Sequence, residues 1–261
     1  MSPGPALTTL FLCPDRRLQD GSRYMATLRQ RRREREPEHM DDPALLSQEH
    51  LTALKGLSRL NLAAGTARLF WHHLRPIVSS RPAGPWRLLD VASGAGDVAV
   101  GLWRLASNEG FDLQIAGCDI GDRAIRVARA RADAAHADVR FFSQDAERDE
   151  FGGGYELVIS SLFLHHLSEN ESLALLRRLT SVTRRLLLVC DLRRCALGLA
   201  TAFIATRVLT ASAVVRADGV RSVRAAYTIP EVRTLAARAG LARARVVRRW
   251  PSRWLLAWSR Q

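Results

Sequence analysis

Leu88-Leu89-Asp90-Val91-Ala92-Ser93-Gly94-Ala95-Gly96-Asp97 decides the fold, and Gly117-Cys118-Asp119 follows it about one βα unit later. An apolar strand runs into a turn of small residues, the turn opens a helix, and an acid stands at the end of the next strand. Small residues let the backbone approach a ligand closely, and the helix N-terminus offers oriented N–H groups. That order of parts holds a nucleoside-bearing cofactor. Gly94-x-Gly96-x-x-Ala99 also fits a loose dinucleotide fingerprint. Asp90 argues for a different ligand. An acid just ahead of the turn repels a pyrophosphate and suits a cationic amino group or sulfonium.

Outward from the motif, strand and helix patterns alternate. Strands are expected over 86–91, 113–118, 139–143, 155–160 and 185–190, and helices over 97–107, 123–134 and 169–183, with a short helix near 146–151. Such alternation builds a parallel sheet covered on both faces. A further helix over 230–239 ends at Gly240. Strands over 242–247 and 253–258 then flank Trp250-Pro251-Ser252. That link is too short for a parallel crossover, so the pair reads as an antiparallel hairpin. Trp254 and Trp258 fall on one face of it, where core packing accounts for them. The expected class is α/β: a Rossmann-like seven-stranded sheet with its last strand antiparallel, an N-terminal helical addition and a helical lid insertion.

Three segments follow. Residues 1–36 read as a disordered arm, with Met25 an alternative start and 29–36 a solvated mixed-charge run; the apolar stretch 6–13 within it is too short for a signal h-region and has no basic n-region before it. Residues 37–85 read as helical, Asp42 capping a helix that starts at Pro43, with Gly56 and Gly65 breaking the run. Residues 86–261 form the main domain, with the lid at about 192–228. Within that lid, 196–215 is apolar enough to raise the question of a bilayer span, but Arg207 and recurrent Thr and Ser argue for a lid over an apolar ligand.

Charge is unevenly spread. The net +13 comes with 38 Arg and the single Lys55, which reads as compositional bias of a GC-rich bacterial genome. Residues 192–261 carry +12, with Asp218 and Glu231 the only acids, whereas 37–191 carry −3 and 1–36 carry +4. A basic C-terminal region attracts anionic partners, whether a substrate, a lipid surface or RNA. Cys13, Cys118, Cys190 and Cys195 show neither CxxC pairing nor metal-ligand spacing, so no metal site is expected and a reducing cytoplasm fits.

On the strength of Asp90 to Gly96, Asp119 and Gln144-Asp145-Ala146, the chain resembles the class I S-adenosylmethionine-dependent methyltransferases. The likeness is to the small-molecule, type 11/12 group that includes the ubiquinone/menaquinone-biosynthesis enzymes. It is best over 86–191. Ala92 stands where the usual pattern has its first glycine. The resemblance implies S-adenosyl-L-methionine as cofactor, cradled by Ala92, Ser93, Gly94 and Gly96. Asp119 would accept from the ribose hydroxyls, with Ile120 beside the adenine. Asp145 would accept from the adenine amino group, and Ala146 would offer its backbone N–H. Ser160 and Ser161 would lie beside the methionine portion.

Methyl transfer is an in-line displacement that gains most from positioning in a water-poor cleft, and it needs a base only if the acceptor must lose a proton. His165 and His166, after the fourth strand, suit that role near neutral pH. Asp191, ending the fifth strand, is expected to face the cleft and orient the acceptor, with Tyr227 and Arg193 as further candidates. The acceptor implied is a small apolar or amphipathic molecule such as a phenol, a quinone precursor or a polyketide. An RNA methyltransferase is the rival, disfavoured because Ser161-Leu162-Phe163-Leu164-His165-His166 is not an Asn/Asp-Pro-Pro-aromatic motif. A non-catalytic cofactor-binding regulator is the second rival.

Overall fold

Trp86–Val91 forms the first strand, β1, and its side chains alternate between two cores. Trp86 and Leu88 enter one apolar cluster, and Leu89 and Val91 enter the other. A strand buried on both faces belongs at the centre of a parallel sheet. The computed structural model describes residues 32–41, 47–80 and 85–260. From Arg33 onward these belong to one compact unit, Arg33–Gln261.

The other strands are β2 Leu113–Asp119, β3 Val139–Ser143, β4 Tyr155–Ser161, β5 Thr183–Leu192, β6 Arg245–Arg249 and β7 Arg253–Ser259. They form one sheet in the order β3-β2-β1-β4-β5-β7-β6. β1 pairs in parallel with β2 and β4, while β7 runs antiparallel to both β5 and β6. The expected seven-stranded α/β sheet with a reversed last strand is the one observed. Strand order reverses between β2-β1 and β4, and α/β sheets open their ligand crevice at the carboxyl ends flanking such a point.

Helices α1 Ser47–Ala63, α2 Thr66–Ser79, α3 Asp97–Asn108 and α4 Asp122–Ala134 precede β3. After β4 come α5 Glu169–Val182, α6 Ala196–Leu209, α7 Ala213–Ala225 and α8 Ile229–Arg238. Phe70, Trp71 and Leu74 of α2 pack with α3 and α4 on one face of the sheet. Leu175, Leu176 and Leu179 of α5 and Leu235 of α8 cover the other. α5 starts on a full capping box between Ser168 and Glu171, as α8 does between Thr228 and Glu231. Cys118 and Cys190 are buried in the sheet, where burial pushes their thiols up to about 12 and about 11.

Several local expectations fail for identifiable reasons. No helix forms over 146–151, because Asp145 and Asp149 each accept a backbone N–H within the segment and close it as a turn. Gly56 does not break its helix. It lies inside α1, where a Cβ would sit 2.4 Å from the Thr210 hydroxyl, so its bareness serves packing against the α6–α7 link. Gly65, at φ 62, is the break between α1 and α2. The apolar run over 196–215 is two helices, because Ser212 caps α7 by accepting from Val215 N–H. Among the described residues no helix is long and apolar enough to cross a membrane. The first hairpin strand begins at Arg245 rather than at residue 242. The readings of residues 1–31, of the Asp42 cap and of residues 81–84 lie outside the described residues.

Candidate active site

At the carboxyl end of β1 the chain turns sharply, with Ala92 at φ 57, Gly94 at φ 53 and Gly96 at φ 70. Gly96 has no room for a side chain, since a Cβ would meet Phe141 at 2.6 Å. Gly94 instead faces open space. The turn is anchored from β2: Gly94 N–H donates to Asp119 Oδ2 at 2.8 Å, and Gly121 N–H to Asp119 Oδ1 at 2.9 Å. Asp119 is therefore built into the turn that it faces.

Beneath the turn lies a concentration of negative charge. Asp90 is fully buried, and neither of its carboxylate oxygens has a partner. Burial, reinforced by Asp97 and Asp119, raises its pKa well above the usual carboxylate range. Asp97, at the start of α3, is also raised by burial, opposed by Arg131 and by hydrogen bonds from Asn61 and Ser58. Ser93 and Ser160 each bury a hydroxyl oxygen that has no partner. Orphaned buried acceptors beside two further acids call for a cationic, hydrogen-bonding ligand, which suits an amino-acid sulfonium and opposes a pyrophosphate. Ile120, just after β2, is exposed. Asp145 is already engaged locally: its Oδ1 accepts from Glu147 N–H at 2.8 Å and its Oδ2 lies 3.7 Å from Arg148 Nε, while Ala146 is buried beside it.

From the turn a cavity of about 570 Å³ extends between α1, α6 and α7. Leu54, Leu57 and Leu60 of α1, with Ala202, Ile204 and Leu209 of α6, give it an apolar wall. A cluster of charged side chains, Glu38, His165 and His166, also lines it. His165, buried in the 3₁₀ turn Leu164–His166, places Nδ1 at 2.7 Å from Asp191 Oδ1 and Nε2 at 3.6 Å from Glu38 Oε1. Asp191 Oδ2 also accepts from His165 N–H at 3.0 Å. Burial alone would lower the His165 pKa, but Asp191 and Glu38 outweigh it and raise it to about 10. Burial alone would raise Glu38, yet His165, His166 and Ser222 hold it at about 2. His165 is thus an imidazolium between two carboxylates at neutral pH. His166 stacks on it with ring centroids 4.3 Å apart and lines the cavity.

These contacts correct two expectations. Asp191 does not face the cleft; it lies under His165, where the charge of that imidazolium and three N–H donors, counting its own neighbour Leu192, hold it. Tyr227 is likewise turned away, its hydroxyl shared by Ser172 and Arg33. Glu38, His165 and His166 also bring one metal-ligand-type atom each within 4.8 Å of one another, a grouping invisible in the sequence spacing. Mutual ion pairing accounts for that grouping.

Sequence reasoning missed the segment that supplies Glu38. Arg33, expected in a solvated arm, is half-buried over the Tyr227 ring, 3.9 Å from its centroid. It donates to Tyr227 Oη at 2.7 Å and to the carbonyls of His165 and Leu167 at 2.9 and 2.6 Å. Asp218 of α7 accepts the backbone N–H groups of His39 and Met40 at 3.0 Å each. The lone acid in a basic helix was the available signal, since such a residue is seldom buried without partners.

Known proteins agree with this geometry. A family model described as "Methyltransferase domain" matches residues 88–185, from β1 into β5. Over that stretch the chain is similar to a methyltransferase domain. The ubiquinone/menaquinone biosynthesis C-methyltransferase of Rhodopseudomonas palustris strain BisB5 is 40% identical over 73 residues, 27% of this chain. The match spans 28% of that relative's length. Among solved structures, the magnesium protoporphyrin IX methyltransferase of Synechocystis PCC 6803, with bound S-adenosylhomocysteine, superposes at TM-score 0.54. It shares 17% identity, with 85% of this chain and 91% of that one covered. An O-methyltransferase family 2 protein of Planctomyces limnophilus, in complex with apigenin, superposes at 0.57 with 18% identity, covering 84% of this chain and 63% of that one. The orphaned oxygens of Asp90 fit the amino group of a ligand such as the S-adenosylhomocysteine bound in the Synechocystis enzyme.

Proposed function

We propose that this chain transfers a methyl group from S-adenosyl-L-methionine to oxygen or carbon of a small apolar or amphipathic acceptor, of the phenolic, quinone-precursor or polyketide kind. The observation that carries the reading is the cavity of about 570 Å³ that joins the Gly-rich turn to a largely apolar wall, with the Glu38, His165 and His166 cluster opening onto it. An elongated apolar molecule with one hydroxyl-bearing end fits such a lining. Two relatives with a similar fold act on, or bind, planar organic molecules by their names, which favours the same class.

Asp90 would hold the donor's amino group, Asp119 its ribose, and Ile120, Asp145 and Ala146 its base, with Ser160 beside the amino-acid portion. Ala92, Ser93, Gly94 and Gly96 would let the backbone come close. When bound, the donor supplies an electrophilic methyl carbon with a neutral thioether as leaving group. The chain's contribution is then to aim the acceptor along the cavity and to exclude water. His165, charged and held by Asp191, cannot take a proton near neutral pH, so it acts as a positioning residue that keeps the 164–166 turn and Glu38 in place. His166 is the base for a hydroxyl acceptor. α6 and α7 form the lid, and the Arg-rich C-terminal region would draw an anionic lipid surface.

Incubating the protein with methyl-labelled donor and separated lysate fractions tests the reading. Label should enter an organic-extractable small molecule, and His166→Ala should lower kcat about 100-fold or more with donor affinity unchanged. Label in tRNA or rRNA would replace this reading with the RNA rival. Donor binding without transfer to any fraction would leave the regulator.

A further inference from the structure

The cavity mouth is bordered by apolar side chains that the fold leaves in water. Leu62 of α1 is 83% exposed, Val208 of α6 is 74% exposed and Trp250 of the β6–β7 link is 82% exposed. Leu197, Phe203 and Ile204 of α6 are exposed as well. Ile204, Val208 and Trp250 line the cavity and are also exposed, so they lie at its opening. Burying such side chains is the ordinary outcome of folding, and a cluster left out marks an interaction surface.

The charge around this rim is of one sign. Residues 50–80, 192–217 and 232–261, which supply α1 beyond its first turn, α2, α6 and the β6–β7 hairpin, contain no Asp or Glu; the one acid of α1, Glu49, sits in its first turn, at the opposite end from Leu62. They carry Lys55, Arg59, Arg207, Arg216, Arg248 and Arg249, among others. Arg207 lies over the Phe203 ring, 3.4 Å from its centroid, which ties a cation to the apolar rim itself. The two acids of the C-terminal region are both occupied: Asp218 by the 39–40 backbone and Glu231 by Arg194.

We infer that the rim formed by α1, α6 and the Trp250 turn docks on an anionic lipid bilayer, with the cavity opening toward the membrane. Shallow insertion of an apolar rim flanked by cations, on a protein whose described helices do not span, is interfacial attachment. This surface is wider than the basic C-terminal region alone, because α1 supplies part of it. The docking is independent of the methyl-transfer reading; only the consequence, that an acceptor enters directly from the membrane, rests on that reading.

The test uses the full chain without methyl donor and vesicles of phosphatidylcholine, with or without phosphatidylglycerol. Co-sedimentation should occur with the mixed vesicles, be weak with phosphatidylcholine alone, and fall as salt is raised. The triple variant Leu62→Ser, Leu197→Ser, Phe203→Ser should lose roughly tenfold or more in partition. None of those side chains lines the cavity, so binding of S-adenosylhomocysteine should be unchanged, which checks folding. Arg59→Glu with Arg207→Glu should abolish the preference for phosphatidylglycerol. Absence of co-sedimentation, or equal partition of wild type and triple variant, would overturn the inference. So would a stable dimer in solution that the triple variant dissolves, because the rim would then belong to a second copy.

Discussion

The two ends of the site handle buried charge in opposite ways. At the cofactor end Asp90 is buried with both oxygens unpartnered and with Asp97 and Asp119 close enough to raise it further. At the acceptor end Asp191 is just as buried, yet it accepts from two backbone N–H groups and an imidazolium. On the proposed reading, the first is a site that a ligand completes. The second is a site that the chain has completed for itself, so its geometry stands before an acceptor arrives. One chemical change, Asp to Asn, made at each end should therefore act in opposite directions on stability.

Asp191→Asn should have the larger effect. The amide nitrogen cannot accept, so a buried N–H loses its partner and the His165 imidazolium loses its nearer counter-charge. Breaking a buried pair from one side costs about 3–5 kcal/mol. The pH dependence sharpens this. With the folded His165 pKa raised to about 10 from an ordinary 6.5, its contribution is complete below 6.5 and is lost as pH rises toward about 10. The wild-type thermal midpoint should fall across that window, and in Asp191→Asn the fall should be much reduced. A pH-independent wild-type midpoint between those limits would place the proton elsewhere.

Asp90→Asn should stabilise the protein when no cofactor is bound. The folded pKa of Asp90 is raised, so the native state holds its proton longer than the unfolded chain does. Stability then falls as pH climbs above the unfolded value near 3.8 toward the raised one. The amide carries no such penalty and should be more stable than wild type by roughly 1–2 kcal/mol at pH 8. Calorimetric titration with S-adenosylmethionine should meanwhile show at least about tenfold weaker binding. Equal stability and equal affinity in the variant would mean that Asp90 is not the group the ligand completes.

The same contrast explains what the sequence could show. The proposed cofactor end is written in one continuous motif, Asp90 to Gly96, and in acids that close successive strands, so local pattern was enough to propose it. The acceptor end is assembled from parts far apart in the chain. Glu38 meets Ser222, Arg33 meets Tyr227, and His165 meets Asp191. No periodicity encodes those meetings, and a mixed-charge stretch such as 32–38 reads as solvated until its partners are known. Asp218 and Ser212 were visible letters, but the role of each is fixed by its fold partners, the 39–40 backbone for one and the start of α7 for the other. Asp145 shows the converse, since a motif position that the resemblance gave to a ligand also serves as a turn cap.

Ala92 gives the smallest effect and the finest test of the cofactor end. Its φ of 57 lies in the left-handed region, where a Cβ crowds the backbone and the penalty is about 1 kcal/mol. Glycine there would remove that strain but would add freedom to the unfolded chain, offsetting about 0.5–1 kcal/mol of the gain. Ala92→Gly should therefore change stability by less than about 0.5 kcal/mol in either direction. Valine keeps the crowding and adds branching next to the backbone, so Ala92→Val should cost roughly 1–3 kcal/mol. Denaturant titration of the three proteins reads the order directly. If valine were tolerated as well as alanine, the turn would be relaxing away from positive φ. The Gly94 N–H could not then be held to Asp119 as firmly as the cofactor end requires. Saturating S-adenosylmethionine should widen the gap between alanine and valine, because the ligand stabilises only the conformation in which the turn is kept.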